Sequence, residues 1–444
     1  MENDFILMSE MREIVQSSLM YAKKLGANQA EIGINIEKGS SVKACLGETR
    51  EIKYKHEKNL GVAIYKDRKK GTASTKNLSL NSVKMAIEAA YKIAEYTMED
   101  PFSGLADARH MSDQIPDLKL YNPTKITTEE AAVLALKSEE AALQIDSVRV
   151  HPLGSIFTQS KRFHAYGNSH GFLGECPSTR YSISCEVVVK SNNALQKGLD
   201  FSVVRNFQDL DHPSIIGKRS AKKAIQKLDP RKIKTCRAPV IFSAEIANGL
   251  LEPFVAAISG NNIWREASFL AGKLGERVFP NFIHIDDDPH LLNGLGSAPF
   301  DQEGVLTKKN SLVKSGILQN YILDSYSARK LGMEITGNAG GVHNLLVQNT
   351  EDNLDSLLKL MGNGLLVTEL LGQSTNLITG DYSQGVSGFW IQEGRILYPV
   401  NEVVISGNLR DMLANIIAIG RDVNPRSYIR SGSILLDEFI IAGS

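Results

Sequence analysis

The chain has 444 residues, with 50 Lys plus Arg against 50 Asp plus Glu, so its formal net charge is zero. This length exceeds one ordinary hydrophobic core, and a prior of ~150 residues per domain predicts two or three domains. The neutral charge argues against a nucleic-acid partner, because such proteins usually carry a basic surface. The acidic start lacks the basic region of a secretory signal, and no stretch approaches the ~20 apolar residues that span a bilayer. We therefore expect a cytoplasmic protein with no nucleic-acid or membrane partner.

The four cysteines, at positions 45, 176, 185 and 236, form no CxxC pair and no ladder of short spacings. This spacing favours reduced thiols over disulfides or a zinc ribbon. Cys176 with Cys185 is the one remaining disulfide candidate.

Residues 1–105 read as a helix, an antiparallel meander and a second helix. Apolar spacing predicts helices over 9–25 and 82–97, and alternation predicts strands over 30–36, 42–46, 51–54 and 61–65. The segment 100–124, with three prolines and little periodicity, is the first predicted boundary.

Residues 124–230 repeat this pattern without residue-level identity to the first unit. Thr127 and Glu130 form a capping-box signature that opens a helix to about Gln144. Predicted strands cover 148–150, 155–159, 162–166 and 181–190, and a helix over 213–227 closes the unit. A duplication of architecture is a hypothesis that this likeness raises.

Residues 231–444 are richer in glycine and in short strands. Hairpin signals occur at Lys314-Ser315-Gly316 and at Glu393-Gly394, and short helices are predicted over 326–331 and 354–361. Many short strands suggest a barrel or a strongly curved sheet. The predicted class is α+β, with two N-terminal helix/antiparallel-sheet units followed by a β-rich, barrel-like domain with inserted helices.

The stretch 239–260 joins a short apolar strand directly to a helical pattern. Residues 240–242 read as a buried strand, Ser243 is a candidate N-cap, and Glu245 is expected in the first helical turn. A carboxylate there suits either a metal or general-base chemistry. Ala244 and Gly249, however, stand where the flanking histidines of a zinc helix would be needed, and no cysteine follows Cys236.

The run from His284 to His290 is the most metal-like by composition. In an extended chain, His284, Asp286, Asp288 and His290 would share one face. Pro289 and three consecutive acids favour instead a strand that ends in a solvated turn. We keep the metal site as an alternative.

Two other patterns have an ordinary structural explanation. Residues 167–171 match G-x-S-x-G around Ser169, but strand-like residues on both sides indicate a hairpin turn and not a nucleophile elbow. Glycine clusters at 294–296, 337–341 and 380–388 do not form a nucleotide-binding loop, and they are typical of tight turns and close packing. Their functional alternative is a strand edge or groove that accepts an extended peptide.

Long runs from residue 239 onward closely resemble the TldD/PmbA family. They lie at 297–305 (SAPFDQEGV), 325–332 (SYSARKLG), 336–344 (TGNAGGVHN), 379–390 (TGDYSQGVSGFW) and 398–413 (YPVNEVVISGNLRDML). The resemblance covers nearly the whole chain. It is strongest to the PmbA branch, also called TldE and known as modulator of DNA gyrase.

The resemblance implies one subunit of a cytosolic two-subunit metalloprotease that cleaves unfolded or modified peptides. In this family the TldD subunit resembles a zinc peptidase with an H-E-x-x-x-H helix, whereas the PmbA subunit lacks those ligands. At the equivalent positions this chain has Ala244, Glu245 and Gly249, so only the glutamate matches. We therefore expect no catalytic residue, metal or cofactor in this chain, and zinc in a TldD-like partner.

The expected partners are a TldD-like subunit, or a second copy of this chain, and an extended peptide. Two alternatives stay open. One is an independent metal-dependent peptidase that uses the His284 to His290 run, and the other is a regulator that binds DNA gyrase.

Overall fold

The structure is a computed structural model that describes residues 2–111, 114–191, 195–350 and 353–443. The α-helices are α1 Glu2–Lys24, α2 Leu80–Tyr96, α3 Thr128–Leu143, α4 Pro213–Gln226, α5 Asn248–Ala257, α6 Gly260–Trp264, α7 Ser325–Leu331, α8 Leu354–Met361 and α9 Leu409–Ala414. The strands of the N-terminal half are β1 Gln29–Cys45, β2 Glu48–Lys66, β3 Lys69–Thr75, β4 Val150–Asn168, β5 Leu173–Glu175, β6 Ser178–Lys190 and β7 Leu195–Val204. The remaining strands are β8 Cys236–Phe242, β9 Ile285–Asp287, β10 Asn310–Lys314, β11 Ile317–Leu318, β12 Leu345–Val347, β13 Gly364–Thr375, β14 Asp381–Gln392, β15 Arg395–Asn408, β16 Ile416–Ile419, β17 Ile429–Arg430 and β18 Ile434–Ala442.

The N-terminal strands form one seven-stranded antiparallel sheet in the order β3-β2-β1-β4-β6-β7, with β5 paired to β4. Each predicted unit contributes a helix, a set of strands and a closing helix. The long pairing of β1 with β4, from Glu31 opposite Asn168 to Ala44 opposite Ser155, joins the two units. The two units therefore share one sheet.

The two faces of this sheet differ because side chains alternate along each strand. In β1, Ile32, Ile34 and Ile36 are buried in the apolar cluster that includes α1 and α2. The intervening residues Glu31 and Asn35 lie on the opposite face. One face thus carries the helices, and the other presents small and polar residues to the C-terminal domain.

Several predicted strands are parts of longer ones. The strands predicted over 30–36 and 42–46 form the single strand β1, and those over 51–54 and 61–65 form β2. Residues 48–59 of β2 are exposed, so no buried face imposes an alternating pattern on them. The strands β3 and β7 are absent from the prediction. The sequence of β3 is mostly polar, whereas β7 alternates with its apolar residues Leu199 and Phe201 exposed and Asp200 and Ser202 buried.

The C-terminal domain contains a closed five-stranded barrel. Its strands follow the order β15-β14-β13-β8-β18, and β18 pairs back onto β15, with Val404 opposite Ala442 and Ser406 opposite Ile440. A second sheet, β11-β10-β9-β12-β17, packs on the same apolar core together with α5. The predicted α+β class with a barrel-like C-terminal domain is confirmed.

Local turn chemistry was predicted well. Ser315 and Gly316, with φ of 49° and 74°, and Glu393 and Gly394, with φ of 50° and 72°, form two-residue hairpin turns. Positive φ at both central residues is the requirement of a type I′ turn. The capping box of Thr127 and Glu130 is also present.

Two further predictions concern a disulfide bond and membrane-spanning segments. All four cysteines are free, so Cys176 and Cys185 do not form the candidate disulfide. Among the described residues, no helix is both long and apolar enough to cross a bilayer.

Candidate functional site

A long cleft lies between the helix-free face of the N-terminal sheet and the C-terminal domain. It consists of two adjoining cavities of about 780 and 910 Å³. Both cavities are lined by one set of C-terminal residues, which are Leu295, Gly296, Gly340, Gly341, Val342 and His343. Because these residues border both cavities, the cavities form one elongated cleft.

The floor of the cleft is the polar face of the sheet. Asn35 of β1 lies opposite His164 of β4, and Gly33 lies opposite Tyr166. Residues of β2 and β3 extend this floor on one side, and residues of β6 and β7 extend it on the other. The floor therefore crosses all the principal strands of the sheet.

The roof is formed by the two glycine-containing loops around residues 294–302 and 339–343. A Cβ on Gly296 would lie 1.8 Å from the carbonyl oxygen of His343, and Gly340 and Gly341 have φ of 102° and 112°. Only glycine accommodates such a close approach and such dihedrals without strain. The close-packing interpretation of these two glycine clusters is therefore confirmed, and peptide binding along a strand edge or groove stays a prediction.

The position of the zinc helix lies on the wall of the larger cavity, but its local structure differs from the prediction. Ala244 and Glu245 occupy a turn, and α5 begins only at Asn248. The placement of Glu245 in the first helical turn and of Ser243 as N-cap was wrong. The reason is tertiary, since the backbone N–H of Ala244 donates to the Ser433 side chain at 3.1 Å and α5 has no side-chain cap.

The carboxylate of Glu245 is held by cations. Lys223 Nζ of α4 lies 2.8 and 2.7 Å from its two oxygens, and Arg426 lies 4.0 Å away. Lys223 and Arg426 also contact Asp200 of β7 at 2.8 and 2.9 Å, and Asp200 is fully buried. This ion cluster connects the N-terminal sheet to the C-terminal domain.

These residues do not fit a zinc ion. A catalytic zinc site needs about three protein ligands and an open position. Here Ala244 offers no ligand, and Glu245 is already paired with Lys223. A Cβ on Gly249 would lie 2.2 Å from Leu370 Cδ1, so Leu370 fills the space that a second histidine would need.

The run from His284 to His290 divides among separate partners. His284 Nδ1 accepts from the backbone of Ser315 at 3.4 Å, Asp286 pairs with Lys309 at 3.0 Å, and His290 Nε2 lies 3.0 Å from Thr307 Oγ1. Asp288 accepts the backbone N–H of His290 at 2.9 Å. Within the described ranges, no three His, Cys, Asp or Glu residues form a group that could hold a metal ion.

One member of this run does contribute to the cleft, and it was not singled out from the sequence. Asp287 is fully buried, and its Oδ2 lies 3.1 Å from Nδ1 of His343, which lines both cavities. Asp287 also accepts the backbone N–H of His343 and an N–H of Asn338, at 2.8 and 2.6 Å. The sequence signals were the three consecutive acids of the 284–290 run and the run 336–344 of the family resemblance.

Burial changes the protonation of several groups near the cleft. Burial raises the pKa of Asp301 to about 6, although three backbone N–H groups oppose the shift. It raises the pKa of Glu303 to about 7, against hydrogen bonds from Ser325. Burial, together with the charge of Arg162, lowers the pKa of His164 to about 4, so this imidazole is neutral at neutral pH.

Ser169 lies in the turn between β4 and β5, as predicted for a hairpin. Its Oγ accepts the backbone N–H of Ala30 at 3.0 Å. The strand-to-helix corner of a nucleophile elbow is not present there.

The fold is α+β, with an elongated cleft between the N-terminal sheet and the C-terminal domain. Residues 30–94, 121–228 and 235–443 match domain 1, the central domain and the C-terminal domain of the PmbA/TldA metallopeptidases. The chain belongs to this family. The resemblance seen in the sequence is thereby confirmed.

Individual relatives agree with this assignment. The chain is 44% identical to the metalloprotease PmbA homolog of Haemophilus influenzae over 98% of this chain and 96% of that protein. It is 40% identical to metalloprotease PmbA of Escherichia coli O157:H7 over 97% of each chain. A crystal structure from Bacteroides thetaiotaomicron, of a protein named as a modulator of DNA gyrase, superposes with a TM-score of 0.93 at 27% identity. That match covers 98% of this chain and 99% of the other.

Proposed function

We propose that this chain is the PmbA-type subunit of a cytoplasmic metallopeptidase, and that a TldD-like subunit supplies the zinc and the catalytic residues. The main support for this proposal comes from residues 244–249, which stand at the position of the zinc-binding helix of TldD. Ala244 and Gly249 replace the histidines, Lys223 pairs with Glu245, and Leu370 occupies the space beside Gly249. A metal-bound water has no place to form there.

The ion cluster gives this position a structural role in place of a catalytic one. Lys223 lies on α4, beneath the N-terminal sheet, and Arg426 lies in the C-terminal domain. Both bind the buried carboxylate of Asp200, and both lie within 4.0 Å of Glu245. The cluster thus fixes the wall of the cleft relative to its floor.

The shape of the cleft suits an extended peptide. The two adjoining cavities provide a channel lined by both polar and apolar groups, and its floor consists of strands with small residues such as Gly33 and Gly61. An unfolded or modified peptide can lie extended along such a surface. We propose that the substrate enters this channel and meets the zinc of the partner, in a heterodimer, and that the isolated chain forms homodimers.

The test is a reconstitution with an unstructured peptide as substrate. This chain alone, a TldD-like subunit alone and their mixture are compared for cleavage, read by mass spectrometry. We expect cleavage to require the TldD-like subunit and to increase when this chain is added. The matched control is a TldD-like subunit whose two motif histidines are replaced by alanine, which should abolish cleavage in the mixture. Cleavage by this chain alone would overturn the proposal.

A further inference from the structure

Three arginines lie along the floor of the cleft, where its two cavities meet. Arg162 in β4 and Arg205, directly after β7, line the smaller cavity, and Arg180 in β6 lines the larger one. Arg162 is opposite Ser178, two residues before Arg180 on the same face of β6. Diagonal neighbours of this kind are close enough for long side chains to meet.

Two of the three guanidinium groups donate to neutral oxygens. Arg162 donates to the side-chain oxygen of Asn35 at 3.1 Å. Arg205 donates to three backbone carbonyl oxygens, those of Thr179, Gly294 and Leu295, at 3.3, 3.4 and 2.7 Å. Within the described ranges, none of the three arginines forms an ion pair with a carboxylate.

The carboxylates in and around the cleft pair with groups other than these three arginines. Glu31 accepts from the hydroxyls of Tyr65 and Tyr166 at 2.9 and 2.8 Å and lies 3.8 Å from Lys70. Asp301 is 5% exposed and accepts three backbone N–H groups. Glu245, as described above, pairs with Lys223. Glu37, which lies opposite Arg162 in the sheet, pairs with Lys55 at 3.0 Å. Among the described residues, none of these four carboxylates forms an ion pair with the three arginines.

The positive charge acts on neighbouring groups. Burial is the largest cause that lowers the pKa of Arg205, and the charges of Arg180 and Arg162 lower it further. The same Arg162 contributes to the low pKa of His164. Clustered cations of this kind attract an anionic ligand most strongly where water is partly excluded.

We propose that Arg162 and Arg180 bind carboxylate groups of an extended peptide, so that the cleft selects acidic peptide segments. The planar guanidinium group matches a carboxylate through two parallel hydrogen bonds, which provides orientation as well as charge. Arg205 is a positioning residue, because its hydrogen bonds hold the roof loop at Gly294 and Leu295 over the floor. This inference rests on the proposed function, in which the cleft receives the peptide.

The test is equilibrium binding of fluorescein-labelled, unstructured peptides to the isolated full chain, followed by fluorescence anisotropy. One peptide carries several glutamates, and a matched peptide carries glutamine at the same positions. We expect the acidic peptide to bind roughly tenfold more tightly, with the preference falling between about 50 mM and about 300 mM salt. The R162Q/R180Q variant should lose this preference.

Two further variants separate the role of the cleft from general charge and from misfolding. R237Q/R395Q removes two exposed arginines that do not line the cleft, and it should keep the preference. R180Q alone removes a side chain for which no hydrogen bond or ion pair is observed in the described residues, so it should fold normally and still weaken acidic-peptide binding. Equal binding of the two peptides to the wild-type chain, or an equal loss in R237Q/R395Q, would overturn the inference.

Amidating the C-terminus of both peptides tests whether the terminal carboxylate contributes. The inference expects the preference for glutamate over glutamine to remain after amidation, because the preference comes from the side chains. A preference that disappears on amidation would contradict it. If all the peptides bind equally well, this inference is refuted, but the reconstitution test of the proposed function is unaffected. If none of the peptides binds, the proposal that the cleft receives a peptide is contradicted.

Discussion

Replacing Arg426 tests whether the ion cluster joins the two domains. Asp200 is fully buried, and the side chain of Arg426 is 16% exposed. Removal of one partner from a buried ion pair costs about 3–5 kcal/mol, and the retained contact of Lys223 with Asp200 at 2.8 Å should reduce this to about 2–3 kcal/mol. The variant R426M keeps the aliphatic stem and removes the charge, so most of the loss reports the ion pair.

The comparison is with E245Q, which removes the more exposed acid of the same cluster. Glu245 is 46% exposed and Lys223 is 28% exposed, so solvent screens this pair and its loss should cost less than about 1 kcal/mol. Both are measured by urea unfolding followed by circular dichroism, with R395M as the matched surface control. Equal losses for R426M and E245Q, or a loss below about 0.5 kcal/mol for R426M, would refute this reasoning.

Three other variants test single features. G249A should destabilise the chain by about 1–3 kcal/mol, because the new methyl group meets Leu370 Cδ1. In the double variant G249A/L370A part of that loss should be restored, as measured in a double-mutant cycle by thermal unfolding. Additive losses in the two single variants would contradict the contact. Glu303 has a raised pKa of about 7 in the folded chain, so it keeps a proton there that it releases in the unfolded chain. The stability that protonated Glu303 contributes is therefore lost as the pH rises from about 4.5 to 7. In E303Q the free energy of unfolding should fall by about 1–3 kcal/mol less between pH 4.5 and about pH 7 than in the wild-type chain, as measured by unfolding at a series of fixed pH values. The exposed control E334Q should keep the wild-type pH dependence. The same pH dependence in E303Q and E334Q would contradict the role of Glu303. S169A should lower the free energy of unfolding by about 1 kcal/mol, because the hydrogen bond from the Ala30 backbone N–H to Ser169 Oγ is lost. Cleavage in the presence of the partner should be unchanged, and abolished cleavage would indicate a catalytic role for Ser169.

Local chemistry was readable from the sequence wherever neighbouring residues determine the structure. The capping box at Thr127 and the turns at Ser315-Gly316 and Glu393-Gly394 depend on residues only a few positions apart. Alternation over 30–36 also predicted which side of β1 is buried, because one face packs on helices. The opposite face of that strand is the floor of the cleft.

Contacts between distant residues left no such signal. Asp287 meets His343 across 56 residues, and Lys223 meets Glu245 from another domain. The helix start at Asn248, later than expected, has the same origin, since Ser433 binds the backbone of Ala244. A tertiary hydrogen bond overrides a local capping preference, and the sequence near Ser243 does not record it.

The most direct test of the central claim is the zinc content of the purified chain. The chain is equilibrated with zinc and dialysed, and the bound metal is measured by mass spectrometry beside a TldD-like subunit treated in the same way. We predict zinc well below one per chain here and about one per chain in the TldD-like subunit. One tightly held zinc per chain would contradict the assignment of this chain as the subunit without the catalytic metal.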